Sequence, residues 1–398
     1  MNRIIHLLLL LCLSLAAHAQ SLKGHITLSD TLPGTYATIH IPSLGITEVA
    51  NEYGDYRFRS LPAGTYEAEF SRIGFAKHKT TVSITGDQTT ALDVNMEAQP
   101  IGLPTAYALP NGQDPAAYIL GKMWAKAEAN RQKLNYKAKI SYDFAAYNFD
   151  IINAAPPFYK RMLKMLLGIG GYKPLATTIM ENESPFVSVE MTRTYSKGRT
   201  TDADKRIAES NYDMTDAEKK FFLNPKKFLD KNIFDEAYDY YLPWGKNGKQ
   251  RKRFVYEGSY TEDGRTIDVL TCRTKKVCCS LHIIEDDWQI LKARIVESAD
   301  EVTDIICQNV RGIYMPISVS QRMTVLEIPP QQFDEYSELC RQVLNGAAEV
   351  TTPEGKTVKV SPKLKKRIEK VYPLMERMER TKKPLPLSVN FNYNIKYQ

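Results

Sequence analysis

The sequence predicts an α+β protein, an N-terminal seven-stranded β-sandwich followed by a larger domain in which an antiparallel curved sheet packs against helices. Three observations carry this. Short alternating segments broken by turn residues fill residues 22–96, a second series of strand-like segments runs from Phe254 onward, and stretches with helical spacing of apolar residues lie between and after them. The composition agrees. Of 398 residues, 43% are hydrophobic, 25% charged and 10% aromatic, and the mean hydropathy is −0.37. That is ample for a core and too polar for a polytopic membrane protein. With 21 Gly, 21 Pro and charges of mixed sign, collagen-like, coiled-coil and disordered readings fail.

The first element is a leader. Met1-Asn2-Arg3, an apolar run from Leu7 to Leu15 in which Ser14 is the polar residue, and Ala17-His18-Ala19 follow the grammar of a secretory signal peptide over residues 1–19. The run falls short of the roughly 20 residues that span a bilayer. Leu10 and Leu11 stand before Cys12 where a lipidation signal wants small residues. The expectation is an exported protein, periplasmic or outer-membrane associated. The 398 residues less the 19 of the leader leave 379, and loss of Arg3 takes the net charge from +7 to +6. The basic residues concentrate near 219–253 and 356–383. Export argues against nucleic acid as a partner, while peripheral contact with an anionic outer-membrane surface competes with two solvated basic faces.

Five cysteines follow the leader: Cys272, Cys278, Cys279, Cys307 and Cys340. Their spacing is not a zinc framework. They read first as small core residues. Second, one disulfide is considered, Cys272 facing Cys278 or Cys279 across a hairpin that turns at Thr274-Lys275-Lys276-Val277.

Seven strands are expected in the sandwich, at 23–28, 36–41, 46–50, 55–59, 65–71, 76–84 and 90–96. Tyr53-Gly54-Asp55 and Pro62-Ala63-Gly64 supply glycine at the turns, and alternation puts Tyr56, Phe58, Tyr66 and Phe70 on the buried face. Gly24-His25-Ile26, Asn51-Glu52-Tyr53-Gly54-Asp55-Tyr56-Arg57-Phe58, Leu61-Pro62-Ala63-Gly64-Thr65-Tyr66 and Ile73-Gly74-Phe75 together resemble the carboxypeptidase-regulatory-like domain. The resemblance implies a transthyretin-like sandwich over residues 20–97 that accompanies catalytic or membrane domains and holds no catalytic zinc itself. A metallopeptidase reading elsewhere in the chain also fails. The one H-x-x-E is His282-Ile283-Ile284-Glu285, in a strand-like segment where residues three apart point to opposite faces, and no histidine follows it.

Residues 98–112 read as a linker, rich in Pro and Gly, and 113–398 as the α+β domain of unknown function. A helix begins at Asp114-Pro115, with Asp capping and Pro in the first turn, and carries Ile119, Met123, Trp124 and Ala127 on one stripe. Residues 137–144 read as a strand, 158–167 as a helix stopped by Gly168, Gly170 and Gly171, 187–195 as a strand, and 215–222 and 225–229 as helical. The run 233–244, with Tyr238, Tyr240, Tyr241 and Trp244, is either packing or a contact surface for a glycan or partner. Strands follow at 254–260, 266–274, 279–285, 289–298, 302–310 and 317–326 as a meander, with turns at Glu262-Asp263-Gly264 and Glu285-Asp286-Asp287. A last strand at 387–397 places Val389, Phe391, Tyr393, Ile395 and Tyr397 on one face. Helices are expected at 332–344 and 362–380. The second has Leu364, Ile368, Val371, Met375 and Met378 on a stripe that suits a sheet, or else an anionic membrane, and Pro373 should kink or split it.

Asp114-Pro115-Ala116-Ala117-Tyr118-Ile119, Tyr142 with Phe144, Glu181-Asn182-Glu183-Ser184, Tyr256-Glu257-Gly258, Ile283-Ile284-Glu285-Asp286-Asp287-Trp288 and Gly312-Ile313-Tyr314-Met315-Pro316 resemble Bacteroidetes cell-envelope proteins of unknown function that carry a regulatory-like sandwich. The sheet-and-helix arrangement also resembles the half-barrel of periplasmic lipoprotein carriers. Asp30-Thr31-Leu32 is similar to the short O-glycosylation signal of Bacteroidetes. Nucleophile elbow, Walker loop, dinucleotide fingerprint and HEXXH are absent from the sequence. The acidic groups Glu285-Asp286-Asp287 and Glu181 with Glu183 sit where turns want them. No catalytic, cofactor-binding or metal-binding residue is assigned, and no cofactor. The expectation is an exported, non-catalytic envelope protein that binds or scaffolds envelope components, its partner a protein, glycan or lipid. The alternatives are a periplasmic carrier of a lipid or lipidated peptide, and an enzyme of unrecognised type.

Overall fold

The computed structural model describes residues 21–29, 31–51, 53–58, 61–85, 89–102, 109, 112–149, 161–165, 173–182, 185–224, 229, 232–298, 301–328, 334–352, 355–381 and 385–398. The expected leader at residues 1–19, Asp30, Glu183 with Ser184, and residues 158–160, 166–171 and 225–228 of the expected elements lie outside them. The protein is mostly strand, and it divides into two compact units. One holds residues 1–126, 249–271 and 280–293, the other 127–248, 272–279 and 294–398.

In the first unit, β1 (Ser21–Leu28), β2 (Thr38–Ile41), β3 (Ile46–Val49), β4 (Asp55–Phe58), β5 (Gly64–Ser71), β6 (His78–Ile84), β7 (Thr89–Ala91) and β8 (Val94–Met96) make two sheets. Their orders are β4-β1-β7, with β8 also on β1, and β3-β2-β5-β6. The sandwich core joins Leu22, Ile26 and Phe58 from one sheet to Ile39, Phe70 and Val82 from the other. Tyr56 meets Phe70 edge-on at 5.6 Å, an arrangement favoured by the ring quadrupole.

The sandwich departs from expectation in its last strand. Residues 90–96 form two strands, so there are eight rather than seven, and both run parallel to β1 rather than antiparallel. The chain bulges between them at Leu92-Asp93, where Leu92 N–H donates to Lys23 O at 2.9 Å and His25 N–H to Asp93 Oδ1 at 2.7 Å. Gly24 makes room for the bulge: a Cβ there would lie 1.8 Å from the Leu92 carbonyl oxygen. Alternation in a sequence does not reveal a bulge that keeps the same face buried on either side.

Gln99 and Gly102, just beyond the sandwich, are bonded to the fold. Gln99 N–H donates to Gly74 O at 2.9 Å and Gly102 N–H to Ser259 O at 2.8 Å. Gly258, at φ 123°, leaves the space that a Cβ would take 2.1 Å from Gly102 O. Beside it is a charged cluster. Lys77 Nζ lies 2.7 Å from Asp263 and 3.3 Å from Glu262, Lys79 Nζ lies 2.9 Å from Glu69 and 3.1 Å from Asp263, and Lys292 Nζ lies 2.5 Å from Glu262. Lys292 is 3% exposed, and burial holds its ammonium below the usual lysine range despite Glu262. The hydrogen bond from Lys77 holds the Asp263 carboxyl below the ordinary value.

The large sheet contains β9 (Tyr136–Tyr147), β10 (Phe186–Ser196), β11 (Arg199–Ser210), β12 (Val255–Glu262), β13 (Arg265–Arg273), β14 (Cys278–Ile284), β15 (Gln289–Ser298), β16 (Glu301–Val310), β17 (Ile313–Ile328) and, after the small hairpin of β18 (Glu349–Thr351) and β19 (Thr357–Lys359), β20 (Leu385–Tyr397). Its order is β11-β10-β9-β20-β17-β16-β15-β14-β13-β12. The expected meander is therefore present. Asp263 at φ 49° and Gly264 at φ 74° form its two-residue turn, the mirror-type turn that Asp-Gly favours. The polar strand β11 was not expected.

Among the described residues, helices with defined bounds are α1 (Pro115–Arg131), α2 (Lys173–Glu181), α3 (Asp216–Phe222), α4 (Asp235–Tyr238), α5 (Asp334–Leu344) and α6 (Pro362–Thr381). Asp114 Oδ2 accepts from Ala117 N–H at 3.0 Å, so α1 starts where the sequence placed it, and Ile119, Met123, Trp124 and Ala127 are buried. Residues 161–165 of the expected helix 158–167 are helical. Of the expected kink or split at Pro373, the split is absent: α6 is one helix with Pro373 inside it. Pro373 and Glu369, whose carbonyl loses its donor, both face solvent, where water replaces the missing bond. The α6 stripe residues Ile368, Val371 and Met375 are buried, and Met375 Sδ accepts from the Cys340 thiol of α5 at 3.8 Å.

Candidate functional site

Three features weighed in the sequence are held largely by contacts within the fold. His282 is buried in β14 between Tyr260 OH at 3.1 Å and Ser280 Oγ at 3.0 Å. None of the five cysteines forms a disulfide, and four are buried as expected of core residues while Cys278 is exposed; burial pushes the Cys279 thiol up to about 12 and the Cys340 thiol up to about 11, far from a reactive thiolate. In the 233–244 run, Arg131 lies over the rings of Phe234 at 5.4 Å and Tyr240 at 5.1 Å, and Trp244 Nε1 donates to Ala237 O at 3.0 Å. Tyr241 is the tyrosine of this run left in solvent, 79% exposed. Among the described residues no three His, Cys, Asp or Glu side chains are grouped to hold a metal ion.

The unusual feature is one face of the large sheet in the second unit. Residues paired across neighbouring strands share a face, so the register can be read as rows. Ser188, Asp143, Asn392, Ser320 and Asp304 form one row across β10, β9, β20, β17 and β16. Arg294 continues it from β15, forking onto Asp304 with both bonds at 2.7 Å. Every member is polar. Glu190, Ser141, Asn394 and Ser318 make a neighbouring row, and Asn390 with Arg322 and Ser388 with Thr324 continue the face toward the start of β20.

The opposite face explains why the strands hold together. There Tyr142 and Phe144 of β9 pair with Tyr393 and Phe391 of β20, with ring centroids 6.0 and 5.3 Å apart. Helix α3 covers them: Phe222 packs on Phe144 at 5.4 Å, and Tyr142 OH donates to the Phe222 carbonyl. Thr215 caps that helix in a reciprocal capping box with Glu218. One face thus supplies the apolar burial, and the other is free to differ.

The polar face is not a solvated one. Ser388 is 1% exposed and Asn390 2%, whereas Ser141, Asp143, Asn392 and Asn394 are half-buried. Some bonds close within it, such as Ser320 Oγ donating to Asn392 Oδ1 at 2.8 Å. On this face, beside the Arg322 guanidinium whose Nε is buried with them, four buried atoms of neutral side chains have no hydrogen-bond partner among the described residues: Thr324 Oγ1, Ser388 Oγ, Asn390 Oδ1 and Asn394 Oδ1. Each such group costs about 1–3 kcal/mol when nothing bonds to it. Four together on two adjacent strands ask for a common explanation. Sequence reading missed this face, though Asn390-Phe391-Asn392-Tyr393-Asn394 carried a signal: asparagine is depleted in strands, and three in alternation mark a face that is neither core nor ordinary surface.

Residues 21–97 match the family model of the carboxypeptidase regulatory-like domain. No curated protein matches. Among solved structures, a type II cohesin-X-dockerin complex of Acetivibrio cellulolyticus matches with 15% identity, covering 20% of this chain and 59% of that one at a TM-score of 0.17. The Bacillus anthracis TIE protein matches with 10% identity over 48% of this chain and 26% of its own at 0.19. A DUF1329 family protein of Desulfovibrio piger matches with 8% identity over 52% and 86% at 0.21. The chain therefore spans less than two thirds of the first of these structures.

Proposed function

We propose that the protein is an exported, non-catalytic component of the cell envelope that binds another molecule through the polar face of its large sheet, with the regulatory-like sandwich as an accessory module. The observation that carries this reading is the set of four buried, unsatisfied polar atoms on paired positions of β17 and β20. Groups of this kind are retained where a bound molecule completes them. The non-catalytic part is supported by how the carboxylates stand. Asp304 is engaged by Arg294 and Glu190 by Arg206. Asp143 is three strands from Asp304, roughly 14 Å, wider than the paired carboxylates of a glycosidase. A lipid cargo, the alternative carried from the sequence, would leave all four polar atoms unsatisfied.

Export is supported by the leader grammar of residues 1–19. The chain expressed in a Gram-negative host with a C-terminal tag tests it by fractionation and intact mass. The expected result is a periplasmic or outer-membrane species beginning at Gln20. An uncleaved cytoplasmic chain would contradict it.

A further inference from the structure

We infer that the outward side of α6 is a docking surface for an anionic phospholipid membrane. The inference rests on the reading of the protein as an envelope component and not on the polar face of the sheet. The apolar stripe of this helix could have served a sheet or a membrane. Ile368, Val371 and Met375 are buried, so the stripe is used within the fold and the opposite side is what a partner can meet. Lys363 and Lys366 are exposed there. At 3.6 residues per turn they stand within about 60° of one another, turned from the stripe. Positions 370 and 377, Lys and Arg in the sequence, fall on the same line of the helix, which is about 21 Å long from 363 to 377.

The helix gains nothing from this arrangement by itself. Lys363 with Lys366, and Lys366 with the lysine at 370, are like charges three and four residues apart, a spacing that weakens a helix. The first turn holds no acidic residue, where the helix dipole favours one. The acids do not interleave with the basic line: the exposed Glu369 and Glu376 lie with Lys365 on the neighbouring flank. Elsewhere the exposed Lys79 is paired with Glu69 and Lys246 with Glu128, whereas Lys363 and Lys366 have no ion-pair partner among the described residues.

The kind of cation selects the anion. A lysine is a point charge on a flexible stem and lacks the planar fork by which arginine reads one carboxylate or phosphate. A line of lysines therefore suits a partner whose charges are many and laterally free. A leaflet of anionic headgroups is such a partner, because its surface potential draws in clusters of basic residues. A helix lying along the fold, with its basic line outward, also matches a flat surface.

The test is co-sedimentation of the whole mature chain with vesicles of phosphatidylethanolamine and phosphatidylglycerol, and with vesicles of phosphatidylcholine alone. The expected result is binding to the first and not the second, lost as salt rises from about 0.05 to about 0.5 M. The double variant Lys363→Gln, Lys366→Gln should weaken binding about fivefold per lysine, roughly 25-fold together. Lys219→Gln with Lys220→Gln removes the same charge from exposed positions of α3 and should stay within about twofold of wild type. Circular dichroism and melting establish that both are folded, and Lys366→Gln alone, at about fivefold, stands in if the α6 double variant is not. Equal loss in the two double variants overturns the inference, since net charge then explains the binding. Equal binding to phosphatidylcholine, or binding to neither vesicle, overturns it as well. Titrations with poly-glutamate and with duplex DNA run in parallel: tighter binding to either than to vesicles, lost in the α6 variant, overturns the membrane assignment. An uncleaved cytoplasmic chain in the fractionation test removes the envelope reading instead and leaves the vesicle result standing.

Discussion

Replacing Glu262 with Gln is expected to lower folding stability by about 3–5 kcal/mol, because it strands a buried charge. Lys292 is 3% exposed, and its ammonium lies 2.5 Å from Glu262. Lys77, 3.3 Å from the same carboxylate, loses part of its field as well. The change is nearly isosteric, so packing loss does not account for the effect. The double variant Lys292→Met, Glu262→Leu is expected to recover most of the loss, since removing both charges removes the desolvation cost along with the attraction. Urea unfolding of the wild type, Glu262→Leu, Lys292→Met and the double variant closes the cycle. A Glu262→Gln midpoint within about 1 kcal/mol of wild type would show instead a hydrated, surface-like pair.

Gly24→Ala is expected to cost about 3 kcal/mol or more, at the upper end of what overpacking does. Its Cβ would meet the Leu92 carbonyl oxygen at 1.8 Å and the Tyr56 ring at 2.9 Å. The first of these is backbone of the bulge that joins β7 to β8, so relief requires pulling both strands off β1. Gly74→Ala is the control: it sits at φ 87° with nothing within 4 Å of the added carbon, so it should bear only the conformational penalty, about 1 kcal/mol. Equal losses in the two variants, read by thermal melting, would remove the steric account of Gly24.

Much of the fold was legible because it is local. The Asp263-Gly264 turn, the Asp114 cap and the alternating strands of the meander each depend on a few neighbouring residues, and each stands where the pattern put it. Strand β11 failed for the opposite reason. It is an edge strand, mostly exposed, carrying Asp202, Asp204, Lys205 and Arg206, and charge on an edge protects it from further pairing while erasing the apolar alternation by which strands are recognised. The break at Leu92 depends on what lies opposite, which no local window contains.

The candidate site was hidden more deeply. Its rows exist only because β20 inserts between β9 and β17, bringing Asn392 beside Asp143 and Ser320. The alternation of 387–397 identified the apolar face correctly: Val389, Phe391, Tyr393 and Ile395 are buried. The same alternation gave the intervening polar residues to solvent by default, whereas Ser388 and Asn390 are buried almost completely. Binary patterning describes one buried face, and this sheet buries part of both.

The central claim is that these polar atoms are kept for a bound molecule and not for the fold. The most direct measurement is the melting temperature of Asn390→Leu in the absence of any ligand. Removing an unsatisfied buried carbonyl and substituting an apolar side chain of similar size should leave the melting temperature unchanged or raise it. A clear fall, corresponding to about 2 kcal/mol or more, would show that Asn390 is bonded within the folded chain and would contradict the claim.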